Sequence, residues 1–390
     1  MNAIPLSLYI HIPWCVQKCP YCDFNSHELK SHELKGAPDE SQYIDRLLMD
    51  LASDVSRFTE RRPLQSIFIG GGTPSLFSGA SIARLLDGVA QQLSINKNTE
   101  ITLEANPGTV DAAHFAAYRQ AGVNRLSIGV QSFNNRQLLA LGRIHHRDEA
   151  IRAVEIAKAT GFDNINIDVM FGLPLQTAAQ MLADIEQGIA AETEHLSYYQ
   201  LTIEPNTAFA HRPPRLPEED QIIDTFELAS ERLVEAGFRR YEVSAWTKGR
   251  TSAHNVNYWE YGDYLGIGAG AHGKITTGGE GIDGRQTIIR TLKPKHPKQY
   301  LAADNLRQET PVPTAEKGFE FMLNALRLCG GFNQSLITSR GLVSLDTLTP
   351  VLMKLVDTGL LTWEGQWIAP TAQGQRFLND CVAAFLPTTA

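Results

Sequence analysis

Six short apolar runs, separated by helix-length segments, constrain this chain more than any other feature. They are SLYIHI (Ser7 to Ile12), SIFIG (Ser66 to Gly70), ITLEA (Ile101 to Ala105), RLSIGV (Arg125 to Val130), INIDVM (Ile165 to Met170) and LSYYQLTI (Leu196 to Ile203). Runs this short and rich in Ile, Val, Leu and Tyr suit strands buried on both faces of a parallel sheet. Between them lie helical patterns. One runs from Tyr43 through Leu47, Leu48 and Leu51 to Val55. Another carries Ile151, Val154 and Ala157 and stops before Gly161; a third carries Ile222, Ile223, Phe226, Ala229 and Leu233 and stops before Gly237. Glycine there suits the left-handed position that ends a helix. Alternation with a period of roughly 30–35 residues implies right-handed βαβ units. Six units make an open sheet or an incomplete barrel, an α/β fold whose chemistry belongs at the C-terminal ends of the strands.

The later chain changes character. HRPPRLPEED (His211 to Asp220) reads as a linker. Past Tyr241, glycines multiply in YGDYLGIGAGAHG (Tyr261 to Gly273) and TTGGEGIDG (Thr276 to Gly284), where long strands or helices are not expected. The segment from Ser344 to Asp380 reads as helix, turn, hairpin and helix, with a helix end at Gly359 and a strand pair around Glu364–Gly365. That is a small winged-helix-like domain, structural rather than DNA-binding because the basic residues needed for phosphate contacts are sparse. The expected division is 1–240, a glycine-rich connecting region 241–312 and a C-terminal domain 313–390. The tandem HELKSHELK (His27 to Lys35) reads as a local duplication in a polar loop.

Charge and cysteines narrow the function. Lys and Arg number 35 against 43 Asp and Glu, a net charge of −8. That balance argues against a nucleic-acid partner. No run of about 18 apolar residues offers a membrane span, and MNAIPLSLYIHI has no basic leader region. A cytoplasmic protein is expected. Three of the five cysteines, Cys15, Cys19 and Cys22, crowd into eight residues as C-x3-C-x2-C. Three thiolates on one loop can hold three irons of a [4Fe–4S] cluster and leave the fourth without a protein ligand. The alternatives are a zinc site completed by His11 or His27, or three buried free thiols; structural zinc usually draws paired ligands from two loops. Cys329 and Cys381 read as small core residues.

This spacing directly after a first strand resembles the radical S-adenosylmethionine (SAM) superfamily, in which the open iron is chelated by SAM. Gly70-Gly71-Gly72-Thr73-Pro74 after the second strand resembles that family's glycine motif, where backbone must approach the ligand closely. The resemblance narrows to the coproporphyrinogen oxidase-like proteins of the HemN/HemW group. YIHIPWC, KCPYCDF, GGGTPS, EANPG, GVQSF, LGRIH and NIDVMFGLP are similar to its signatures. It implies an incomplete (β/α)6 radical-SAM barrel. It also implies SAM contacts from Tyr9, Tyr21, Gly71, Gly72, Thr73, Glu104, Gln131, Arg143 and Asp168. Without it, Glu104, Gln131 and Asp168 are polar residues at strand ends, costly in a core unless paired, and Arg143 could serve a surface ion pair.

Two features separate members of the group. Its decarboxylating enzymes carry a further cysteine two residues after the triad, where this chain has Phe24, and a longer N-terminal arm than the 14 residues that precede Cys15 here. His254-Asn255-Val256-Asn257-Tyr258-Trp259 is similar to the haem-binding signature of the haem-chaperone branch. A neutral imidazole is a good axial ligand for haem iron; a His–Asn–aromatic cluster holding an inter-domain loop is the other reading. The resemblance implies a haem chaperone without coproporphyrinogen oxidase activity, delivering haem to haemoproteins that include membrane-associated ones, and a homodimer fits the family. The alternative is an oxygen-independent coproporphyrinogen III oxidase. A tRNA methylthiotransferase would need a second cysteine triad and a basic appendage. His272 is a candidate second haem ligand, His145 and His146 line a loop, and Glu204 faces the mouth of the sheet.

Overall fold

A computed structural model of the chain describes residues 4–29, 39–278, 286–304 and 306–387. Six parallel strands form its centre: β1 (Leu6–Ile12), β2 (Leu64–Gly71), β3 (Ile95–Ala105), β4 (Arg125–Gln131), β5 (Ile165–Phe171) and β6 (His195–Gln200), each paired with the next. The crossovers carry α1 (Glu40–Phe58), α2 (Gly79–Ala90), α3 (Ala112–Gln120), α4 (Arg147–Ala159) and α5 (Ala178–Ala190), and α6 (Glu219–Glu235) follows β6. The expected helix ends are present: Gly161 and Gly237 have φ of 90° and 87° after α4 and α6.

Side chains alternate along these strands. Leu8, Ile10, Ile67, Ile69, Leu103, Leu126, Ile128, Ile167 and Val169 are buried in one core with Leu47, Leu51, Leu85, Val89, Phe115 and Ile185 of the helices. Each fully buried Leu or Ile contributes about 1.5–3 kcal/mol. The strands are buried on both faces, as expected, and the opposite face is polar. Ser7 Oγ meets Ser66 Oγ at 2.7 Å, and Ser127, Asn166 and Asp168 bond one another. A sheet that curls round its inner face can fill it with hydrogen-bonding groups and a ligand.

The sheet continues beyond both edges. Past β6 come β7 (Arg239–Arg240) and β8 (Ala245–Thr247), both antiparallel. On the other side β9 (Asp263–Ile267) runs parallel to β1, followed by antiparallel β10 (His272–Gly278), β11 (Gln286–Leu292) and β12 (Gln308–Pro311). The order is β12-β11-β10-β9-β1-β2-β3-β4-β5-β6-β8-β7, twelve strands with no closure among the described residues. The glycine-rich segment therefore holds the strands that its composition argued against. Glycine serves there for close approach: a Cβ on Gly266 of β9 would run into the His272 carbonyl oxygen of β10. Residues 279–284 of that segment and 30–35 of the tandem repeat lie outside the described residues.

A buried ion network locks β11 and the turn after β9 to α1. Lys293 Nζ lies 2.6 Å from Asp50 Oδ1 and 2.7 Å from Asp54 Oδ1, all three side chains fully buried. Asp50 Oδ2 accepts from Tyr300 Oη (2.8 Å) and from the Gly268 amide (3.2 Å).

A second apolar core gathers Phe321, Met322, Leu348, Leu352, Leu355, Leu361, Ile368, Val382 and the buried Cys381, with Tyr261 and Ile288 from the sheet region. Helix Leu345–Asp357 ends before Gly359 at φ 74°, and the strands Leu361–Glu364 and Trp367–Pro370 turn at Gly365. This is the winged-helix-like arrangement read from the sequence, except that the final helix breaks at Phe377 into Ala372–Arg376 and Leu378–Ala383. Among the described residues no helix is long and apolar enough to cross a membrane.

Candidate functional site

The cysteine loop leaves the C-terminal end of β1. Its base is closed by a short parallel pairing of Trp14–Cys15 with His27–Glu28. The His27 amide donates to the Pro13 carbonyl (2.7 Å) and the Leu29 amide to the Cys15 carbonyl (2.9 Å). At the tip, the Cys22 amide donates to the Cys19 carbonyl at 3.2 Å. All three thiols are free and half-buried. Burial pushes the Cys15 and Cys22 thiols upward, opposed at Cys15 by the Thr73 hydroxyl and at Cys22 by Ser26. Arg143 reaches in from beyond β4, with Nη1 donating to Cys19 Sγ at 3.6 Å and Nη2 to the Gly129 carbonyl at 2.8 Å, while its buried Nε has no partner among the described residues. Among the described residues no three His, Cys, Asp or Glu side chains converge as they would on one metal ion. Three soft thiols on one loop, with a guanidinium holding a donor in reserve, fit an anionic iron–sulfur cluster.

The residues expected to meet SAM gather along the same mouth. Gly71 has φ 114°, and a Cβ there would stand 2.5 Å from the His11 ring; a Cβ on Gly72 would stand 2.5 Å from the Trp14 carbonyl oxygen. Only glycine fits that turn. The Thr73 amide is spent on the Trp14 carbonyl (2.7 Å), which ties the turn to the cysteine loop. Glu104 Oε2 accepts from the Gly71 amide at 3.0 Å, and burial, with the Asp168 charge adding, pushes this carboxyl up to about 7. Asp168 accepts from Asn166 Nδ2 (2.8 Å) and Ser127 Oγ (3.2 Å), and burial moves it upward too. A bulge in β4 gives Gln131 a left-handed φ of 69° and re-aims its side chain, whose Oε1 accepts from Tyr199 Oη at 2.6 Å. Tyr9 Oη donates to His11 Nδ1 (2.8 Å), and His11 Nε2 donates to the Asn25 carbonyl (2.9 Å). The Tyr21 ring lies 6.5 Å from that of Phe209, over an apolar patch of Leu141, Met170, Leu173 and Leu201. Tyr9, Tyr21, Glu104, Asp168 and Arg143 are half-buried, open toward the hollow.

His254 stands apart. It lies on the short helix Ala253–Trp259, 3% exposed, against the first half of β2. Its Nδ1 is 3.2 Å from Ser66 Oγ, and its ring packs 4.7 Å from Phe68 and 4.4 Å from Tyr258. Burial pushes its imidazole down to about 3, so it is neutral. The Nε2 of His145 is 3.1 Å from the Val130 carbonyl oxygen, whereas His272 is exposed. His11 and Tyr199 are site residues that the sequence reading did not single out for this mouth. The signal was the period of two, since Tyr199 follows Ser197 on the face that Asp168 shares.

An open α/β sheet, a three-cysteine loop after its first strand and a glycine turn after its second define a radical SAM protein. The Radical SAM superfamily model matches residues 9–187 and the HemN C-terminal domain model residues 312–377. The fold is similar to that of coproporphyrinogen III oxidase (HemN) from Escherichia coli, with a TM-score of 0.80 over 99% of this chain and 90% of that one at 23% identity. The chain is 47% identical over 384 residues to the heme chaperone HemW of Escherichia coli (strain K12), covering 98% of each. It is 48% identical over 389 residues to that of Haemophilus influenzae, again covering 98% of each. The chain belongs to the HemW family. Membership in the radical SAM superfamily implies a [4Fe–4S] cluster and SAM.

Proposed function

We propose that this chain is a haem chaperone on a radical SAM scaffold: it binds haem and hands it to haemoproteins, membrane-associated ones included. The observation that carries the reading is similarity over the whole length at 47–48% identity to heme chaperones, against 23% to the decarboxylase of the same fold. Phe24, 59% exposed beside the cysteine loop, supports it, because the decarboxylases of the group resemble one another in carrying cysteine there. Cys15, Cys19 and Cys22 would hold the cluster, which when bound supplies an electron and an open iron site. Gly71, Gly72 and Thr73 bring backbone to the amino end of SAM. Glu104 and Asp168 offer carboxylates to its cationic and hydroxyl groups, and a bound cation would pull the raised Glu104 carboxyl back toward ionisation. Gln131, held by Tyr199, and Arg143 border the same space, with Tyr9 beneath and Tyr21 supplying an aromatic face. Residues 1–240 carry this machinery, 241–312 connect it and 313–390 form the terminal unit; the protein works in the cytoplasm and forms a homodimer.

Haem transfer tests the reading. The cluster-loaded protein, charged with haem, is mixed with an apo-haemoprotein and the acceptor's spectrum followed after separation. Transfer at a rate above that of free haem under the same conditions is expected. No transfer, with turnover of coproporphyrinogen III instead, would establish the decarboxylase reading.

A further inference from the structure

A file of buried polar side chains crosses the inner face of the sheet, from the mouth to the short helix Ala253–Trp259. It starts at Asp168, whose Oδ1 accepts from Asn166 Nδ2 at 2.8 Å. A carboxylate demands the donor end of the amide, so Asn166 Oδ1 is an acceptor, and it faces His195 Nδ1 at 2.7 Å. His195 therefore carries its proton on Nδ1, which leaves Nε2 to accept from Tyr241 Oη at 2.9 Å. The Tyr241 oxygen in turn accepts from the Ser252 amide at 3.4 Å. Ser252 is the N-cap of the helix that carries His254. Asn166, His195, Tyr241 and Ser252 are all buried. Burial, with the Arg125 charge adding, holds the His195 imidazole well below its ordinary value, so it is neutral. Every link donates in one direction, toward the Asp168 carboxylate. Hydrogen bonds aligned in this way polarise one another, so a change at one end is felt at the other.

A second tie runs beside the first. Glu100 of β3 accepts from the Ala253 amide at 3.0 Å, the His254 amide at 3.1 Å and the Ser252 hydroxyl at 3.3 Å. Four residues further along the same face of β3 stands Glu104. The first turn of the helix is thus anchored by groups on or bonded to β3 and β5, the strands that carry Glu104 and Asp168 to the mouth. With the helix seated on these caps, His254 is 3% exposed and its ring packs on Phe68 and Tyr258. A macrocycle needs more room beside that ring, and the helix gives it by shifting off its caps.

We propose that SAM and haem bind in opposition through this chain: SAM, by fixing Asp168, holds the helix seated on Tyr241 and Glu100, whereas haem at His254 draws the helix off those caps and loosens Asp168. His195 and Tyr241 are positioning residues that touch neither ligand. Such a coupling is reciprocal by thermodynamic necessity, with typical factors of about 5–150. Binding of SAM then favours release of haem. The proposal rests on the haem-carrying reading, with His254 as the ligand, and deepens it by naming what regulates the site.

The Kd of SAM is measured by equilibrium dialysis on the cluster-reconstituted protein, kept oxidised so that SAM stays intact, with and without saturating haem. The Kd of haem is measured by absorption with and without saturating SAM. In wild type each ligand is expected to weaken the other by the same factor, about fivefold or more. Tyr241→Phe deletes one hydroxyl from the chain and should abolish that factor while SAM alone still binds as in wild type and iron and sulfide contents stay level. A merely structural role would lower affinity and leave the coupling in place. If Tyr241→Phe does not take up its cluster, His195→Leu carries the comparison, and the wild-type measurement stands without either variant. Wild-type affinities that are unchanged or tightened by the other ligand overturn the proposal, as does a wild-type factor retained in both variants. Absence of saturable haem binding in wild type overturns the haem-carrying reading itself, and the coupling with it.

Discussion

Replacing Lys293 by methionine separates a charge from a fold that has closed over it. Lys293 Nζ lies 2.6 Å from Asp50 and 2.7 Å from Asp54 with none of the three side chains exposed. In Lys293→Met, Asp54 retains Arg307 at 2.6 Å, but among the described residues Asp50 retains only the Tyr300 hydroxyl and the Gly268 amide. Removing one partner of a buried pair costs about 3–5 kcal/mol, because the remaining charge stays desolvated. The penalty depends on pH in a defined direction. Burial already pushes the Asp50 carboxyl upward, and losing the ammonium pushes it further. A carboxyl raised in the folded state favours folding in its protonated form, so its contribution is fully present below the unfolded pKa and is lost as pH rises through the folded one. The deficit of the variant is therefore largest near pH 8 and shrinks near pH 5. Urea unfolding of variant and wild type at both pH values, followed by circular dichroism, measures it. A deficit below about 1 kcal/mol at pH 8, or one that grows on acidification, would refute the reasoning. The site should feel the change too: Asn25, whose Nδ2 donates to the Ala269 carbonyl next to Gly268, ties this turn to the cysteine loop.

Three further outcomes follow from the site. Cys19→Ser should remove the visible iron–sulfur absorption; a purified variant with full iron and sulfide would contradict the cluster assignment. Gly71→Ala must hold alanine at φ 114° against the His11 ring, so it should lose about 1–3 kcal/mol of stability and most SAM binding by equilibrium dialysis; wild-type affinity would show that the turn tolerates a side chain. Glu104, raised to about 7, adds stability that is fully present below the unfolded value and lost as pH rises through 7. Glu104→Gln should flatten the fall in urea midpoint between pH 5 and 8, and a fall as steep as in wild type would mean that Glu104 does not titrate there.

The strands, the crossover helices and the winged-helix-like end were legible because apolar spacing and helix-ending glycines are local signals. The polar inner face was also written in the chain, as Ser-Leu-Tyr-Ile-His-Ile in β1, but hydrophobic content alone hides an alternation whose polar members include Tyr9 and His11. The strands β9 to β11 were missed because composition does not distinguish a glycine that breaks a strand from one that, like Gly266, lets two strands touch. The convergence of Cys19 with Arg143 was not legible from spacing, since 124 residues separate them and only the sheet brings them together. HNxxYW is legible as a motif in one dimension, whereas the packing of His254 against Ser66 and Phe68 is visible only in the fold.

The most direct test of the account is an anaerobic equilibrium titration of haem into the cluster-reconstituted wild-type protein. The account predicts saturable binding near one haem per chain. Binding that never saturates, or none at all, would contradict it.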